Sequence, residues 1–252
     1  MDTGHEKGAR RLPIIPATRP AGTGDAGIPR LDVELPKSLS VIVEERIRNA
    51  ILNAELSFGQ ALPEDSLGVS LGVSRTPMRE ALTRLQMQGL VVIIPKKGTF
   101  VFEPSREDAE QLASFRLVLE SNAVERCLAS AGGATLRDLN RAYEKMVAAR
   151  KVTDGQAYAR ADTEFHESFF SNCGNVYLVN AYRAISGRVA ALRAHLSVPR
   201  ADEQNVSFAE HARIIECVRL GEKLNLLRVL KQHIMRAASV YAAALQERAV
   251  NK

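Results

Sequence analysis

The chain has 252 residues, 46% of them hydrophobic and 25% charged, with a formal net charge of +5. Length and balance predict a globular protein of one large or two smaller domains, with enough chain to bury a sizeable core. They exclude a transmembrane helix, since no run of 18 apolar residues occurs, and three cysteines without a CxxC exclude a cysteine zinc finger and fit a reducing cytoplasm.

Residues 1–36 hold five of the ten prolines and five of the sixteen glycines, with few large apolar side chains. They are expected to form a disordered tail. The charged N-terminus lacks an apolar stretch of signal-peptide type, so no secretory leader is expected. The tail's Lys7, Arg10, Arg11, Arg19 and Arg30 read as a solvated leader, with contact to DNA phosphates as the alternative. From Leu39 the pattern turns helical, with Val43, Ile47 and Ile51 on one face, and runs to about Glu55. Phe58-Gly59 and Pro63 punctuate the connection. A short helix is predicted from Glu64 to Leu71. Gly72-Val73-Ser74 makes a tight turn with Ser74 at an N-cap position. The next helix, Arg75 to about Gln88, carries Met78, Leu82 and Leu85 on one face and tolerates Pro77 in its first turn. The period then changes. Val91–Ile94 and Thr99–Phe102 are β-branched and aromatic, joined by the turn Pro95-Lys96-Lys97-Gly98, and read as a hairpin. Three helices and a two-stranded wing make a winged helix-turn-helix over 37–104.

Beyond Pro104 the chain reads as wholly helical, an antiparallel bundle over 105–248, so the fold is mainly α. Ser105 with Asp108 has the capping-box spacing and opens a helix to about Ser130, which Gly132-Gly133 stops. A second helix reaches Lys151. A third runs from Asp154 to about Asn172 and a fourth from Val176 to Leu196, with Pro199 beyond. A fifth covers roughly Ser207 to Leu220, Gly221 breaks it, and a sixth reaches about Arg248.

A helix-turn-helix presents the N-terminus of its second helix to the major groove. Guanine edges there are acceptors, so arginines in the first turns suit the task. Arg75 and Arg79 are four apart and share a face. The Ser74 and Thr76 hydroxyls suit phosphate oxygens. Lys96 and Lys97 sit at the wing turn, and Gly98 lets the backbone approach a duplex closely. The segment 38–104 is neutral overall, yet five of its seven basic residues lie at or after Arg75. The net basic excess resides mostly in the helical segment instead, so net charge is a poor guide to the DNA partner.

Leu62-Pro63-Glu64 to Leu67, Leu71 to Leu82, Gly89-Leu90-Val91 and Pro95 to Val101 together resemble the GntR family of bacterial transcription regulators. The resemblance spans about residues 38 to 103. It implies a DNA interface at Ser74, Arg75, Thr76, Arg79, Lys96, Lys97 and Gly98. One departure is Gly68, where the family usually has alanine. It is expected to loosen its helix by about 1 kcal/mol.

Four of the five histidines follow residue 160. Asp162 and His166 are four apart on one helical face. His211 precedes the break at Gly221 by ten residues and His233 follows it by twelve, about 15 and 18 Å along an antiparallel pair, so the two stand nearly level. One carboxylate and three imidazoles then suit a divalent transition metal: zinc, nickel or manganese. Taken singly, each histidine also reads as an ordinary core or surface residue.

Arg116 to Glu120, Asp162 to His166, Ser171 to Asn175, Glu210-His211 and His233 resemble the ligand-binding domain of the FadR subfamily, called FCD, over about residues 106 to 246. Many such domains bind a metal through an aspartate and three histidines. The matching residues are Asp162, His166, His211 and His233. The resemblance also implies a small carboxylate effector at the metal, with an arginine of the first helix pairing to it. Here that is Arg116, for which a bidentate geometry makes physical sense. Arg116 and Glu120, four apart, read equally as a helix ion pair. Asn175 is a second effector candidate, although its place before the following helix favours a cap. His195, Arg188 and Arg193 have no matched role beyond lining a pocket. The expected function is a homodimeric, ligand-responsive regulator that reads a near-palindromic operator and is released when a small organic acid binds. The alternatives are a constitutive DNA-binding protein with a structural metal and a metal-dependent hydrolase. The latter lacks a general base, because Glu164 lies about 200° around the helix from Asp162.

Overall fold

Three helices open the structure, a computed structural model that describes residues 38–197 and 200–250. The tail expected over 1–36 lies outside those residues. Helix α1 (Leu39–Leu52) buries Val43, Ile47 and Ile51 and packs on α3 (Arg75–Met87), which offers Met78, Leu82 and Leu85 in return. Between them, α2 (Glu64–Leu71) begins with two acids, Glu64 and Asp65, favourable at a helix N-terminus. It closes on Gly72 in the left-handed region at φ 66°, and the Val73 N–H turns back to donate to the Gly68 carbonyl at 2.9 Å. Gly68 has a positive reason to be glycine. A Cβ there would lie 3.0 Å from the Val73 carbonyl oxygen, so an alanine would press on the turn it precedes.

The wing is an antiparallel hairpin of β1 (Val91–Ile94) and β2 (Gly98–Val101), with Val91 opposite Val101 and Ile94 opposite Gly98. The second strand therefore starts one residue earlier than its side chains suggest. The turn places Lys96 at φ 64°, an uncommon conformation for a residue with a Cβ.

Helix α4 (Arg106–Ser130) starts with the expected capping box: the Ser105 hydroxyl accepts from the Asp108 N–H, and the Asp108 carboxylate accepts from the Ser105 N–H. Helix α5 (Gly132–Lys151) begins at the two glycines expected to be the break; the interruption is Ala131 alone. Helix α6 (Gly155–Asn172) is capped by Asp154, which accepts from Ala157 N–H. Helix α7 (Val176–Leu192) does not continue to Leu196 as α-helix. It widens into a π-helical turn, Arg193–Ser197. Helix α8 (Ala201–Leu220) starts at Ala201 rather than near Ser207, with Asp202 and Glu203 in its first turn, and ends on Gly221 at φ 69°. Helix α9 (Lys223–Val250) runs back antiparallel to α8.

Two apolar cores result. One fills the bundle, with Phe165, Phe169, Leu139, Met146, Ile214 and Leu226 fully buried. The other joins the winged segment to the bundle: Ile47, Ile51, Phe58, Leu85 and Leu90 share it with Leu192, Leu196, Tyr241 and Leu245. Burying both halves in one core makes them mechanically coupled.

Candidate DNA interface and metal centre

On the winged segment, Ser74, Arg75, Thr76, Arg79, Lys96, Lys97 and Gly98 are all solvent-exposed. Ser74 occupies the N-cap position of α3, but its side chain makes no capping hydrogen bond. Both arginines fold back on α2. Arg75 Nε and Nη2 pair with Asp65 at 2.9 and 3.2 Å, and Arg79 Nε pairs with Glu64 at 2.9 Å. Such exposed pairs are worth little in water. They cost little to exchange for nucleic-acid acceptors, and meanwhile they hold both guanidinium groups at the start of α3.

In the bundle, Asp162 and His166 of α6, His211 of α8 and His233 of α9 converge. Each offers a ligand atom, and those atoms lie within 4.8 Å of one another. All four residues are buried. The near-level placement expected for His211 and His233 holds, with ring centroids 4.7 Å apart.

Two carboxylates orient the rings. His166 Nδ1 lies 2.8 Å from Glu120 Oε2, and His233 Nδ1 lies 2.8 Å from Glu210 Oε2. An ionised carboxylate only accepts, so each Nδ1 carries a proton and each ring turns its Nε2 toward the cluster. Those two Nε2 atoms face each other at 3.2 Å. Two imidazole nitrogens this close need a proton or a metal ion between them. His211 makes no hydrogen bond through either ring nitrogen, and its Nε2 faces Asp162 Oδ1 at 3.3 Å. Burial pushes the His211 imidazole down to about 3. Burial, reinforced by the Arg116 charge, pushes His166 well below its usual range. Both are therefore neutral and ready to ligate. Burial alone would raise the Asp162 carboxyl, yet Arg193 beside it holds it well below the usual carboxylate range. An orphaned imidazole, two Nε2 atoms turned toward each other and an ionised aspartate fit a divalent transition metal through N and O donors.

Arg116 is fully buried and bonds Glu120 Oε1 through Nε at 2.5 Å. The helix ion pair therefore forms. Its Nη2 nevertheless has no partner, and the residue lines a cavity of about 20 Å³ beside Asp162, Arg193, His233 and Arg236. The guanidinium thus keeps one open donor next to the cluster. Asn175 is not brought there: its side-chain oxygen accepts from the Tyr177 and Leu178 N–H groups and caps α7. His195 faces the winged segment, bonding the Ile51 carbonyl at 2.9 Å. Arg188 packs against Gly89 instead of entering the cavity. Glu164 is exposed and paired with Lys145, away from the cluster.

Three site residues escaped the sequence reading in their actual roles. Glu120 orients His166, Glu210 orients His233, and Arg193 pairs with Asp162. Glu210 was adjacent to a candidate ligand, which was the available signal. The partners of Glu120 and Arg193 are long-range in sequence and left none.

Two family models match this chain: "Bacterial regulatory proteins, gntR family" over residues 39–101 and "FCD domain" over residues 111–236. An uncharacterised HTH-type transcriptional regulator in an unstable DNA locus of Streptomyces ambofaciens is 31% identical, across 75% of this chain and 79% of that protein. The HTH-type transcriptional repressor NanR of Cronobacter sakazakii is 26% identical, across 86% and 90%. The fold is also that of a GntR transcriptional regulator of Rhodococcus sp., with a TM-score of 0.73 at 22% identity over 82% of this chain and 99% of that one. A helix-turn-helix with its hairpin wing, continued by an FCD bundle, is a regulator of transcription rather than an enzyme, and the chain belongs to the GntR family of bacterial regulatory proteins.

Proposed function

We propose that this regulator is a repressor whose grip on DNA is set by a small organic acid bound at a metal centre. The observation that carries the reading is the pair of carboxylate-oriented imidazoles, His166 and His233, whose Nε2 atoms face each other at 3.2 Å beside Asp162 and His211. Asp162, His166, His211 and His233 would hold the metal, with zinc the best match to this donor set and nickel or manganese the alternatives. When bound, such an ion supplies a Lewis-acidic anchor for a carboxylate oxygen. Arg116, with its open Nη2 donor, would take the same carboxylate. The acid thereby gains affinity for the arrangement in which cation and guanidinium are both presented, and shifts the population toward it.

Arg75 and Arg79 would enter the major groove, with Ser74, Thr76, Lys96, Lys97 and Gly98 following the backbone. A homodimer would read two half-sites of a near-palindromic operator. The repressor sense is supported by the NanR relatives, which are named repressors.

Metal analysis of the purified chain should give about one transition metal per chain. His211→Ala should lose it, and full occupancy in that variant would refute the ligand set. A panel of sugar acids, hydroxy acids, dicarboxylates and amino acids should then include members that raise the melting temperature by mass action. A panel without a hit favours the second reading, a structural metal in a constitutive DNA-binding protein. The small size of the cavity, about 20 Å³, favours that reading as well.

A further inference from the structure

We infer that the π-helical turn Arg193–Ser197 couples the metal centre to the winged domain, with His195 as the positioning residue at its far end. This rests on the metal reading above and adds how that site is read out. At the cavity end, Arg193 is nearly fully buried, pairs with Asp162, and donates from Nη1 to the Thr163 hydroxyl at 2.6 Å. Two residues on, the His195 Nε2–H donates to the Ile51 carbonyl at 2.9 Å, and its ring stacks on Phe58 with centroids 4.0 Å apart and planes 17° apart. Ile51 is in the last turn of α1, and the Phe58 ring also meets Phe102 edge-on beyond the wing. Leu196, next in the turn, is buried in the core that holds α1 against α3.

The same helix end is gripped from α6, the helix that carries Asp162. Gln156 donates to the Asn53 carbonyl at 2.7 Å and Arg160 to the Asn53 side-chain oxygen at 3.1 Å. Both partners of the Asp162–Arg193 pair therefore sit on elements that clasp the end of α1. Residues two apart on a helical turn face opposite sides, so Arg193 and His195 form two ends of one short lever. The turn is π-helical, a conformation that recurs at functional sites and can re-register to α-helix. Arg193 and a cation in the cluster draw on the same Asp162 carboxylate. When the cluster fills, Arg193 loses part of its partner's charge and is released toward an acidic ligand. The turn carries His195 with it, and the end of α1 loosens or tightens. Helix α1 packs on α3, the helix that carries Arg75 and Arg79.

The test uses the full chain with zinc alone as probe, read by hydrogen exchange over residues 50–62 and by zinc stoichiometry. In the wild type, zinc should change exchange in that segment by about threefold or more. His195→Ala should bind zinc at the same stoichiometry and lose the change. His195→Gln, which keeps a donor for the Ile51 carbonyl, should restore it. A purely structural role for His195 would lower stability in the alanine variant but leave the zinc-dependent change in place. Arg193→Gln, at zinc saturation confirmed by metal analysis, should lose the change from the cavity end, and it serves if His195→Ala does not fold. A zinc-dependent change that persists in His195→Ala or Arg193→Gln overturns the coupling and leaves the metal centre standing. Zinc binding without any change in the wild-type segment also overturns it. A wild-type chain that binds no zinc removes the metal reading and the coupling together.

Discussion

Glu120→Gln is the sharpest single probe of the metal centre. Glu120 is fully buried and serves two partners with its two oxygens: Arg116 Nε at 2.5 Å and His166 Nδ1 at 2.8 Å. Glutamine keeps the shape but offers one acceptor and one donor group. If its oxygen stays with Arg116, its NH₂ faces His166 Nδ1. That nitrogen must then accept, the ring proton moves to Nε2, and the lone pair needed for a metal is gone. If its oxygen instead turns to His166, the NH₂ opposes the Arg116 N–H, and a buried cation loses its carboxylate. Each orientation breaks one of the two interactions. Loss of a carboxylate that orients a ligating histidine lowers metal affinity about 10–100-fold, which is about 1.4–2.7 kcal/mol. Breaking a buried ion pair costs about 3–5 kcal/mol, and the retained hydrogen bond puts the expected loss of metal-free stability near 3 kcal/mol. The affinity is measured by competition with a chromophoric chelator, the stability by urea unfolding of the chelator-treated chain. Zinc affinity within about threefold of wild type, in a variant that is destabilised as expected, would show that Glu120 only neutralises Arg116 and would refute the tautomer reasoning.

Arg79→Ala should weaken specific DNA binding by at least about 1 kcal/mol, about a fivefold loss in a gel-shift titration; unchanged affinity would remove α3 as the reading helix. Asn175→Ala should cost about 1 kcal/mol of stability through the lost cap of α7 while zinc and carboxylate binding stay unchanged; lost ligand binding at unaltered stability would return it to the effector site. Burial pushes the Cys127 thiol up to about 11, and its S–H donates to the Phe169 carbonyl at 3.0 Å. Native-state alkylation at pH 8 should therefore leave Cys127 unmodified in a peptide map, because the thiolate is scarce until the pH nears that value; rapid modification at pH 8 would mean the site opens.

The parts of the centre that were legible in the sequence are those set by local periodicity. Asp162 and His166 share a face because they are four apart, and His211 and His233 stand level because Gly221 sits nearly midway between them. The winged segment was legible for the same reason, each turn being marked by glycine or proline. Contacts between distant elements were not. Glu120 lies four residues from Arg116, and that short-range pairing hid its second bond, to a histidine 46 positions away. Arg193 was hidden twice over. Its partner lies on another helix, and a uniform helix expected to Leu196 gave no sign of the π-turn that Arg193 opens. Asn175 shows two local signals in competition. Its family context suggested the ligand, while its own backbone position, one residue before α7, already named the cap.

The charges around the cavity bear on the proposed acid ligand. Arg116, Arg193 and Arg236 line it, and the carboxylates that line it or bond its lining residues are Asp162, Glu203, Glu120 and Glu210. Counted with uncharged histidines, that set carries one negative charge in excess, part of it on the partly exposed Glu203 and Glu210. A divalent cation overshoots to one positive charge, and a single carboxylate brings the sum to zero. A neutral or cationic ligand leaves the excess in place, and a dianion reverses it unless its second acidic group reaches solvent. The same count sets the order of binding: before the cation arrives, a carboxylate meets an already negative cavity and Arg193 is held by Asp162. Metal first and acid second is the sequence the electrostatics favour. A melting-temperature panel run on chelator-treated protein should accordingly lose the hits seen with zinc present, and hits that survive metal removal would place the acid elsewhere in the fold.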